Sequence, residues 1–307
     1  MSGAVKSSAT NGGHKRRPSR EDRVWTIRDL LTWTTDFFAR KGLETPRLDA
    51  EVLLAHALGC SRVELYTNYD KPVEEGERAR YRELVRRRGA HEPVAYLTGQ
   101  KEFFSLTFAV TRDVLIPRPD SEFVVLTYLD HFRDRERVRV ADVGTGSGNL
   151  AVAIAHEHAG AKVVGVDRSL PALRLARRNA VRHGVAERTH WVRSDLLRAF
   201  RPSSPFDAIV SNPPYIPTAE LANLEAGVRD YEPRDALDGG PTGLEVVRRL
   251  IEQAPSRLRN GGMLILEIGA PQEEPVRAML EQTGVFEVLP TVFDYAGHPR
   301  VVAARRI

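Results

Sequence analysis

The sequence predicts an α/β protein in which a small helical bundle precedes a mostly parallel sheet with helices on both faces. Three observations predict it. After residue 118, strand-like and helix-like segments alternate, as a parallel sheet with helical crossovers requires. A glycine-rich loop directly follows the first of these strands. Before residue 90 the apolar residues recur only at helical spacing.

The helical bundle is predicted to span residues 23–91. "WTIRDLLTWTTDFFARKG" carries an apolar stripe that stops at Gly42. "PRLDAEVLLAHALG" begins with Pro46, which suits a first helical turn, and stops at Gly59. "SRVELYTN" and "EEGERARYRELVRRRGA" predict a short third helix and a charged fourth. No cluster of titratable groups recurs in these helices, so we expect no catalytic role for the bundle.

Residues 92–118 are predicted to form a β-hairpin that joins the bundle to a second domain, residues 119–307. A turn is expected near Thr111 to Asp113. The second domain should hold seven strands, of which the last two, "FEVLP" and "RVVAARR", form a hairpin that places one antiparallel strand in the sheet. Its helices are predicted to start at Ser147 and Ser169 and to cover residues 242–258 and 273–282.

The basic charge of the chain is concentrated at its N-terminus. The net charge is +4, but residues 1–20 hold five Lys or Arg and no acid, so the remainder, with 40 basic and 41 acidic residues, carries −1. The polar residues 1–22 are predicted to be a disordered tail. A single cysteine, Cys60, excludes an internal disulfide and suits the cytoplasm. No apolar run is long enough to span a membrane.

The loop "ADVGTGSGN" is predicted to bind a cofactor. Gly144, Gly146 and Gly148 allow a tight turn in which backbone N–H groups face a ligand. A dinucleotide fingerprint requires a third glycine where this chain has Asn149, which points away from NAD and FAD.

Two acids lie at the ends of the next two strands. Asp167, nineteen residues after Gly148, is placed to accept hydrogen bonds from ribose hydroxyls, and Asp195 is placed to meet an adenine amino group. Together with the glycine turn they are typical of a site for S-adenosylmethionine. The fold class predicted is therefore a seven-stranded, Rossmann-like sheet of the class I S-adenosylmethionine-dependent methyltransferase type. No metal site is predicted.

"SNPPYIP" follows the fourth strand at the same edge of the sheet and is predicted to be the catalytic loop. Its prolines fix an extended backbone without N–H donors, so Asn212 and Pro213 can offer carbonyl oxygens to a planar NH₂ group, on which Tyr215 can pack. These oxygens would stabilise the positive charge that develops on a methylated nitrogen. Adenine N6, guanine N2, cytosine N4 and a glutamine side chain all present such a group, so the loop alone leaves the substrate open.

The chain resembles the HemK/PrmC family, the peptide chain release factor glutamine methyltransferases, from about residue 24 onward. Besides the two loops, the resemblance rests on "RLDAEVLLAHALG", "EPVAYLTGQKEFFSLTFAV", "VLIPRPDSE", "EPRDALDGGPTGLEVVRRLI", "GGMLILEIG" and "GHPRVV". It implies methylation of the side-chain nitrogen (N5) of glutamine in the Gly-Gly-Gln motif of class I bacterial release factors. It also implies that the helical bundle helps to hold the release factor.

The resemblance implies which residues contact the cofactor and the substrate, because they stand at the matching positions of the family's motifs. The cofactor would contact Gly144, Thr145, Gly146, Ser147, Gly148, Asp167, Asp195, Leu196 and Asn212, with Leu196 standing where some relatives have tryptophan. The glutamine would contact Asn212, Pro213, Pro214 and Tyr215. Arg118, Pro119 and Glu122 are expected near the cofactor, and Phe103 and Phe104 either near a ligand or in the hairpin core.

Three other function classes compete with this interpretation. A DNA or RNA amino-methyltransferase would use the same NPPY chemistry, but it would need a basic groove or a target-recognition domain. The folded part carries −1, so no specific nucleic acid partner is expected. A nucleotide-binding oxidoreductase conflicts with Asn149, and a binding module without activity conflicts with the intact Asn212 and Asp167.

Overall fold

The computed structural model describes residues 24–202 and 205–307. The predicted tail, residues 1–22, lies outside the described residues. The chain divides into two compact units, Met1–Gly89 and Ala90–Ile307. In the described part, no helix combines the length and the apolar character that crossing a membrane requires.

The described part of the first unit is helical. Its helices are α1 (Ile27–Arg40), α2 (Pro46–Leu58), α3 (Arg62–Thr67) and α4 (Glu75–Arg88). As predicted, Pro46 occupies the first turn of α2, and Gly59 ends that helix with a left-handed backbone, φ 67°. Helix α2 packs against α1 and α4. Leu31, Phe38 and Leu53 are fully buried and form part of the core of this unit.

The second unit begins with a short helix and the hairpin. These elements are α5 (Val94–Thr98), β1 (Gln100–Phe103) and β2 (Leu106–Ala109). A turn does follow Thr111, where Val114 N–H donates to the Thr111 carbonyl, but the hairpin itself turns at Phe104 and Ser105, with φ of 50° and 59°. Two consecutive left-handed residues match the twist of a hairpin. The turn predicted near Thr111 to Asp113 is therefore confirmed, whereas the turn of the hairpin at Phe104 and Ser105 was not predicted.

The remaining strands of the second unit are β3 (Val138–Val143), β4 (Ala161–Asp167), β5 (Thr189–Arg193), β6 (Phe206–Ser211), β7 (Ile216–Pro217), β8 (Asp238–Gly240), β9 (Leu258–Glu267), β10 (Phe286–Val288), β11 (Val292–Phe293) and β12 (Pro299–Arg306). The main sheet has the order β10-β12-β9-β6-β3-β4-β5, and β11 pairs with β12. The seven predicted strands are confirmed, and β11 is an addition to them. Strands β7 and β8 form a separate small sheet.

The strand directions create a site at one edge of the sheet. Strands β5, β4, β3, β6 and β9 are parallel, and β12 runs against both of its neighbours. The single predicted antiparallel strand is therefore confirmed as β12. The chain proceeds from β3 outward to β5, then crosses to β6 and β9. Ligands bind to α/β sheets where the strand order reverses in this way, which here is between the carboxyl ends of β3 and β6.

Helices cover both faces of the main sheet. They are α6 (Glu122–Phe132), α7 (Asn149–Glu157), α8 (Leu170–Arg182), α10 (Glu245–Gln253) and α11 (Glu273–Gln282), while the short α9 (Ala226–Arg229) lies in the segment between β7 and β8. Val140 packs with residues of α6 and α7, whereas its neighbour Ala141 packs with residues of α10 and α11. This alternation follows from the two-residue period of a strand and buries both faces of the sheet.

The observed helix boundaries agree with the predicted ones to different degrees. Helix α11 covers the predicted residues 273–282, and Ser169 precedes α8 as predicted. Helix α7 starts two residues after Ser147, because the glycine loop continues through Gly148. Helix α10 is shorter than predicted, since Leu258 already begins β9.

Candidate active site

The glycine loop connects β3 to α7 and carries three left-handed glycines. The φ angles of Gly144, Gly146 and Gly148 are 76°, 53° and 80°. A Cβ atom on Gly148 would lie 2.9 Å from the Cβ of Ala176 in α8. Gly148 therefore provides room for packing against α8, whereas Gly144 and Gly146 line the cavity described below.

Asp142 supports the loop from beneath. Its Oδ2 accepts hydrogen bonds from the Thr145 hydroxyl at 2.5 Å and from the Ala151 N–H at 3.1 Å. The side chain is fully buried, and this burial raises its pKa to about 7. Because both donors belong to the loop and to the first turn of α7, Asp142 fixes the loop conformation without facing a ligand.

Asp167 joins the end of β4 to the glycine loop. Its Oδ2 accepts a hydrogen bond from Gly146 N–H at 3.0 Å, and its Oδ1 accepts one from Ser169 N–H at 2.9 Å. The helix cap of α8 is Ser169, whose Oγ accepts from Ala172 N–H. Burial raises the pKa of Asp167, while these backbone donors lower it. Asp167 thus lies in the cavity wall and is not the helix cap.

Asp195 and Leu196 follow β5 at the other end of the cavity. The side chain of Asp195 is 44% exposed and forms ion pairs with Arg249 of α10 and, at 3.7 Å, with Arg198. Leu196 has a left-handed backbone, φ 51°, and its half-buried side chain packs on the core. Both residues line the cavity, and their contact with adenine stays a prediction.

Asn212 directly follows β6 and lies at the same edge of the sheet as the glycine loop. Its Nδ2 donates a hydrogen bond to the hydroxyl of Ser121 at 2.9 Å, and this hydroxyl donates to Oε2 of Glu267 at 2.5 Å. Within residues 24–202 and 205–307, no donor hydrogen-bonds to Oδ1 of Asn212. The side-chain carbonyl of Asn212 is therefore the amide atom left for a ligand.

The loop that contains Asn212 is held by residues far along the chain. The backbone carbonyl of Tyr215 accepts a hydrogen bond from Nε2 of Gln272 at 2.9 Å, and Ile216 N–H donates to the Leu237 carbonyl at 3.0 Å. Burial and the nearby Glu267 carboxylate raise the pKa of the Tyr215 hydroxyl to about 12. The tyrosine is therefore neutral and cannot act as a base near pH 7.

These elements enclose a cavity of about 740 Å³ at the carboxyl edge of the sheet. Its volume lies in the usual range for small-molecule sites. Of the residues predicted for the site, those that line the cavity are Gly144, Thr145, Gly146, Ser147, Asp167, Asp195, Leu196, Asn212 and Pro214. Gly148, Pro213 and Tyr215 lie outside its lining. In the described part of the chain, no group of three or more His, Cys, Asp or Glu could hold a metal ion.

The segment before α6 closes one side of the cavity. Arg118 lines it and forms an ion pair with Glu232, a buried acid that also accepts a hydrogen bond from Ile116 N–H at 3.1 Å. Glu122 instead accepts from Phe104 N–H at 2.8 Å and so stabilises the hairpin turn. Phe103 is buried in the core and Phe104 packs on it, which favours the hairpin-core interpretation of this pair.

Four residues belong to the site although the sequence did not predict them there: Ser121, Glu232, Glu267 and Gln272. A signal existed for Glu267, an acid at the carboxyl end of the otherwise apolar run "MLILE". Such a residue is costly to bury unless it has hydrogen-bond partners. Ser121, Glu232 and Gln272 lie in polar segments, where their contacts with distant residues leave no local pattern.

Comparison with known proteins identifies the family. The PrmC N-terminal domain matches residues 29–99, and the methyltransferase small domain matches residues 124–225. A release factor glutamine methyltransferase from Rhodopirellula baltica is 45% identical over 289 residues, which cover 93% of this chain and 98% of that protein. This chain belongs to the release factor glutamine methyltransferase family. The predicted resemblance is thereby confirmed, as is the assignment to the methyltransferases.

Two further matches agree with this assignment. A release factor glutamine methyltransferase from Geobacter sulfurreducens is 46% identical over 287 residues, covering 94% of this chain and 99% of that family member. Among solved structures, a methyltransferase from Pyrococcus furiosus has a TM-score of 0.50 at 21% identity, over 67% of this chain and 91% of its own. This likeness concerns the fold alone, and it agrees with the predicted class of methyltransferase sheet.

Proposed function

We propose that this protein transfers a methyl group from S-adenosylmethionine to the side-chain nitrogen (N5) of the glutamine in the Gly-Gly-Gln motif of class I peptide chain release factors. The observation that carries the proposal is the orientation of Asn212. Its Nδ2 is bonded to Ser121, so a carbonyl oxygen remains beside the glycine loop to accept a hydrogen bond from a substrate NH₂ group.

The residues present fit S-adenosylmethionine. The cavity combines a glycine loop, the Asp167 carboxylate at one strand end and the half-exposed Asp195 carboxylate at the next. Asp167 would hold the ribose, Asp195 and Leu196 the adenine end, and residues 144–147 the methionine end. When bound, the cofactor supplies an electrophilic methyl group on a positively charged sulfur.

Asn212 acts on the substrate nitrogen. Its Oδ1 holds one amide proton of the glutamine, and we assign the second to the backbone carbonyl of Pro213. Both oxygens stabilise the positive charge that grows on the nitrogen during methyl transfer, so they favour the transition state over the ground state. Tyr215 lies outside the lining of the cavity, and we assign it to a neighbouring position where its ring packs on the planar group of the bound glutamine. The nitrogen releases its proton to solvent after transfer, so no strong base is required.

We further propose that the N-terminal unit helps to hold the release factor. Its described part contains an apolar cavity of about 460 Å³ lined by Trp33 and Phe37 of α1 and by Arg78 and Arg82 of α4. Trp33 is 48% exposed and stacks on Phe37, with ring centroids 5.3 Å apart. Exposed aromatic side chains beside arginines are typical of protein-binding surfaces. Because release factors act in translation, we also propose that the protein works in the cytoplasm.

The decisive experiment supplies methyl-labelled S-adenosylmethionine with a purified release factor, DNA or RNA. We expect label on the glutamine of the Gly-Gly-Gln motif, located by mass spectrometry of peptides, and none on nucleic acid. A release factor in which this glutamine is replaced is the control. Label on DNA or RNA and none on the release factor would overturn the proposal in favour of a nucleic acid amino-methyltransferase.

A further inference from the structure

A buried hydrogen-bond chain lies behind the amide of Asn212. Ser121 and Glu267 are 1% and 2% exposed. Ser121 immediately precedes α6 and Glu267 ends β9, so two separate elements bring them to the end of β6. Asn212 Nδ2 donates to Ser121 Oγ, and Ser121 Oγ donates to Glu267. Neither residue belongs to a motif that the sequence predicts to be functional.

No basic side chain neutralises Glu267 directly. In the described part of the chain, no nitrogen of Lys, Arg or His lies within 4.0 Å of its carboxylate; Arg118 pairs with Glu232, and Arg300 pairs with Asp120 and Asp294. A buried acid that lacks an ion-pair partner is unfavourable for folding. Its position next to the catalytic loop therefore calls for a functional explanation.

We propose that Ser121 and Glu267 are positioning residues that determine which atom of the Asn212 amide faces the substrate. This inference rests on the function proposed above. An amide can rotate by 180° and exchange its oxygen and its NH₂ group with almost no change in shape. A substrate NH₂ group needs an acceptor, so only the orientation with Oδ1 toward the cavity is productive.

The charge of Glu267 selects that orientation. An ionised carboxylate only accepts hydrogen bonds, so the single proton of the Ser121 hydroxyl points toward it. Ser121 can then only accept from Asn212, and the Nδ2 group is the one that can donate. These donor and acceptor rules fix the productive orientation of the Asn212 amide. The orientation is lost if the Glu267 carboxylate or the Ser121 hydroxyl is removed.

Protonation of Glu267 reverses this logic. A neutral carboxylic acid can donate a hydrogen bond to the Ser121 oxygen. The Ser121 hydroxyl can then donate to Oδ1 of Asn212. In that orientation the Nδ2 group of Asn212 faces the NH₂ group of the substrate and repels it. Burial and Asp120 raise the pKa of Glu267 to about 7, against the lowering effects of the Ser121 hydroxyl and of Arg300 and Arg118. Tyr215, also near, is neutral at this pH. Methyl transfer therefore increases as pH rises through about 7.

The experiment uses the full chain with a release factor and S-adenosylmethionine, and compares the wild type with Glu267→Gln, Ser121→Ala and Ser121→Thr. We expect Glu267→Gln to lower kcat by about 10-fold or more, because a glutamine amide can donate to Ser121 as well as accept from it, so that the orientation of Asn212 is no longer fixed. Its kcat should no longer change between pH 6 and 8. Ser121→Ala should lower kcat similarly, and Ser121→Thr should recover part of it because the hydroxyl returns. The Kd for the cofactor should change less than about threefold in each.

Two control variants remove similar groups elsewhere. Thr127→Val removes a buried hydroxyl from α6 that donates to the Phe123 carbonyl. Asp207→Asn neutralises a buried acid at the opposite end of β6 that pairs with Arg259. Both should keep the wild-type kcat and its pH dependence. Melting temperatures measured at pH 8 separate loss of activity from loss of fold.

The possible outcomes distinguish this inference from the function on which it rests. If the wild type does not methylate the release factor, both are overturned. If the wild type is active and Glu267→Gln keeps its kcat, or keeps the wild-type pH dependence, the positioning role is wrong while the proposed function stands. Equal losses in the two control variants would also refute it, since a general structural effect would then explain the data.

Discussion

The side-chain nitrogen of Asn212 lies 2.9 Å from the hydroxyl oxygen of Ser121, which is 91 residues earlier in the chain. This contact sets the orientation of the amide on which the proposed chemistry depends. The glycine loop lies directly beside it, since a Cβ atom on Gly144 would be 3.8 Å from the backbone carbonyl of Asn212. The cofactor loop and the substrate loop therefore meet at the point where the strand order reverses.

Replacing Asn212 by alanine should abolish methyl transfer while leaving cofactor binding nearly intact. The variant loses the oxygen that accepts the substrate proton but keeps the backbone of the loop, which the prolines and Gln272 hold. We expect kcat to fall by about 100-fold or more, with the Kd for S-adenosylmethionine changed less than about threefold, as measured by calorimetry. A loss of cofactor affinity as the main effect would place Asn212 in the cofactor site alone.

Asp167→Ala should act in the opposite way and weaken cofactor binding. The substitution removes the expected ribose acceptor and also the hydrogen bonds to Gly146 and Ser169. Each hydrogen bond to a charged group contributes about 1.5 to 3 kcal/mol, so the Kd should rise by about 10- to 100-fold. Asp130→Asn, which changes an exposed acid of α6, is the control and should bind normally. An unchanged Kd in Asp167→Ala would exclude ribose binding there.

The sequence predicts the parts of this protein that depend on local patterns. The seven strands, the glycine loop and the NPPY loop follow from periodicity and from the special geometry of glycine and proline. Helix α6 was not predicted, although Val124, Tyr128 and Phe132 recur at helical spacing, because the apolar Phe123 and Leu126 lie between the residues of this stripe. The hairpin turn at Phe104 and the hydrogen bond between Ser121 and Glu267 depend on partners 18 and 146 residues away. No local pattern records such contacts.

Gly148→Ala should destabilise the fold more than Gly184→Ala. Both glycines have left-handed backbones, with φ of 80° and 69°, so alanine costs about 1 kcal/mol at either position. At Gly184 a new Cβ meets no atom within 4 Å, but at Gly148 it lies 2.9 Å from Ala176. Overpacking adds about 1 to 3 kcal/mol. Urea unfolding of both variants measures the difference, and equal losses would show that α8 shifts freely.

Trp33→Ala should weaken recognition of the release factor without affecting the chemical step. The exposed ring belongs to the apolar cavity of the N-terminal unit, and aromatic residues dominate many protein interfaces. We expect KM for the whole release factor to rise about tenfold or more with kcat unchanged at saturation. Val63→Ala alters an exposed apolar residue of α3 outside that cavity and should have no effect.

A short peptide that contains the Gly-Gly-Gln motif provides the complementary measurement for Trp33→Ala. Such a peptide reaches only the catalytic cavity, so its kcat/KM should be the same for the variant and the wild type. An equal loss of kcat/KM on the peptide and on the whole release factor would mean that Trp33 acts through the fold, and the proposed docking role of the N-terminal unit would be wrong.

Glu267→Gln should increase stability at pH 8 although it lowers activity. The pKa of Glu267 is about 7 in the fold, against 4.5 for an ordinary glutamate, so between these pH values the folded chain holds a proton that the unfolded chain has released. Stability from this group is therefore complete below about pH 4.5 and is lost as pH rises through about 7. The loss is about 1 to 3 kcal/mol by pH 8.

A neutral glutamine avoids this loss. Chemical unfolding should therefore give the Glu267→Gln variant a higher free energy of unfolding than the wild type at pH 8 and nearly the same value at pH 5. If the variant is less stable than the wild type at both pH values, the carboxylate stabilises the fold and its raised pKa is incorrect.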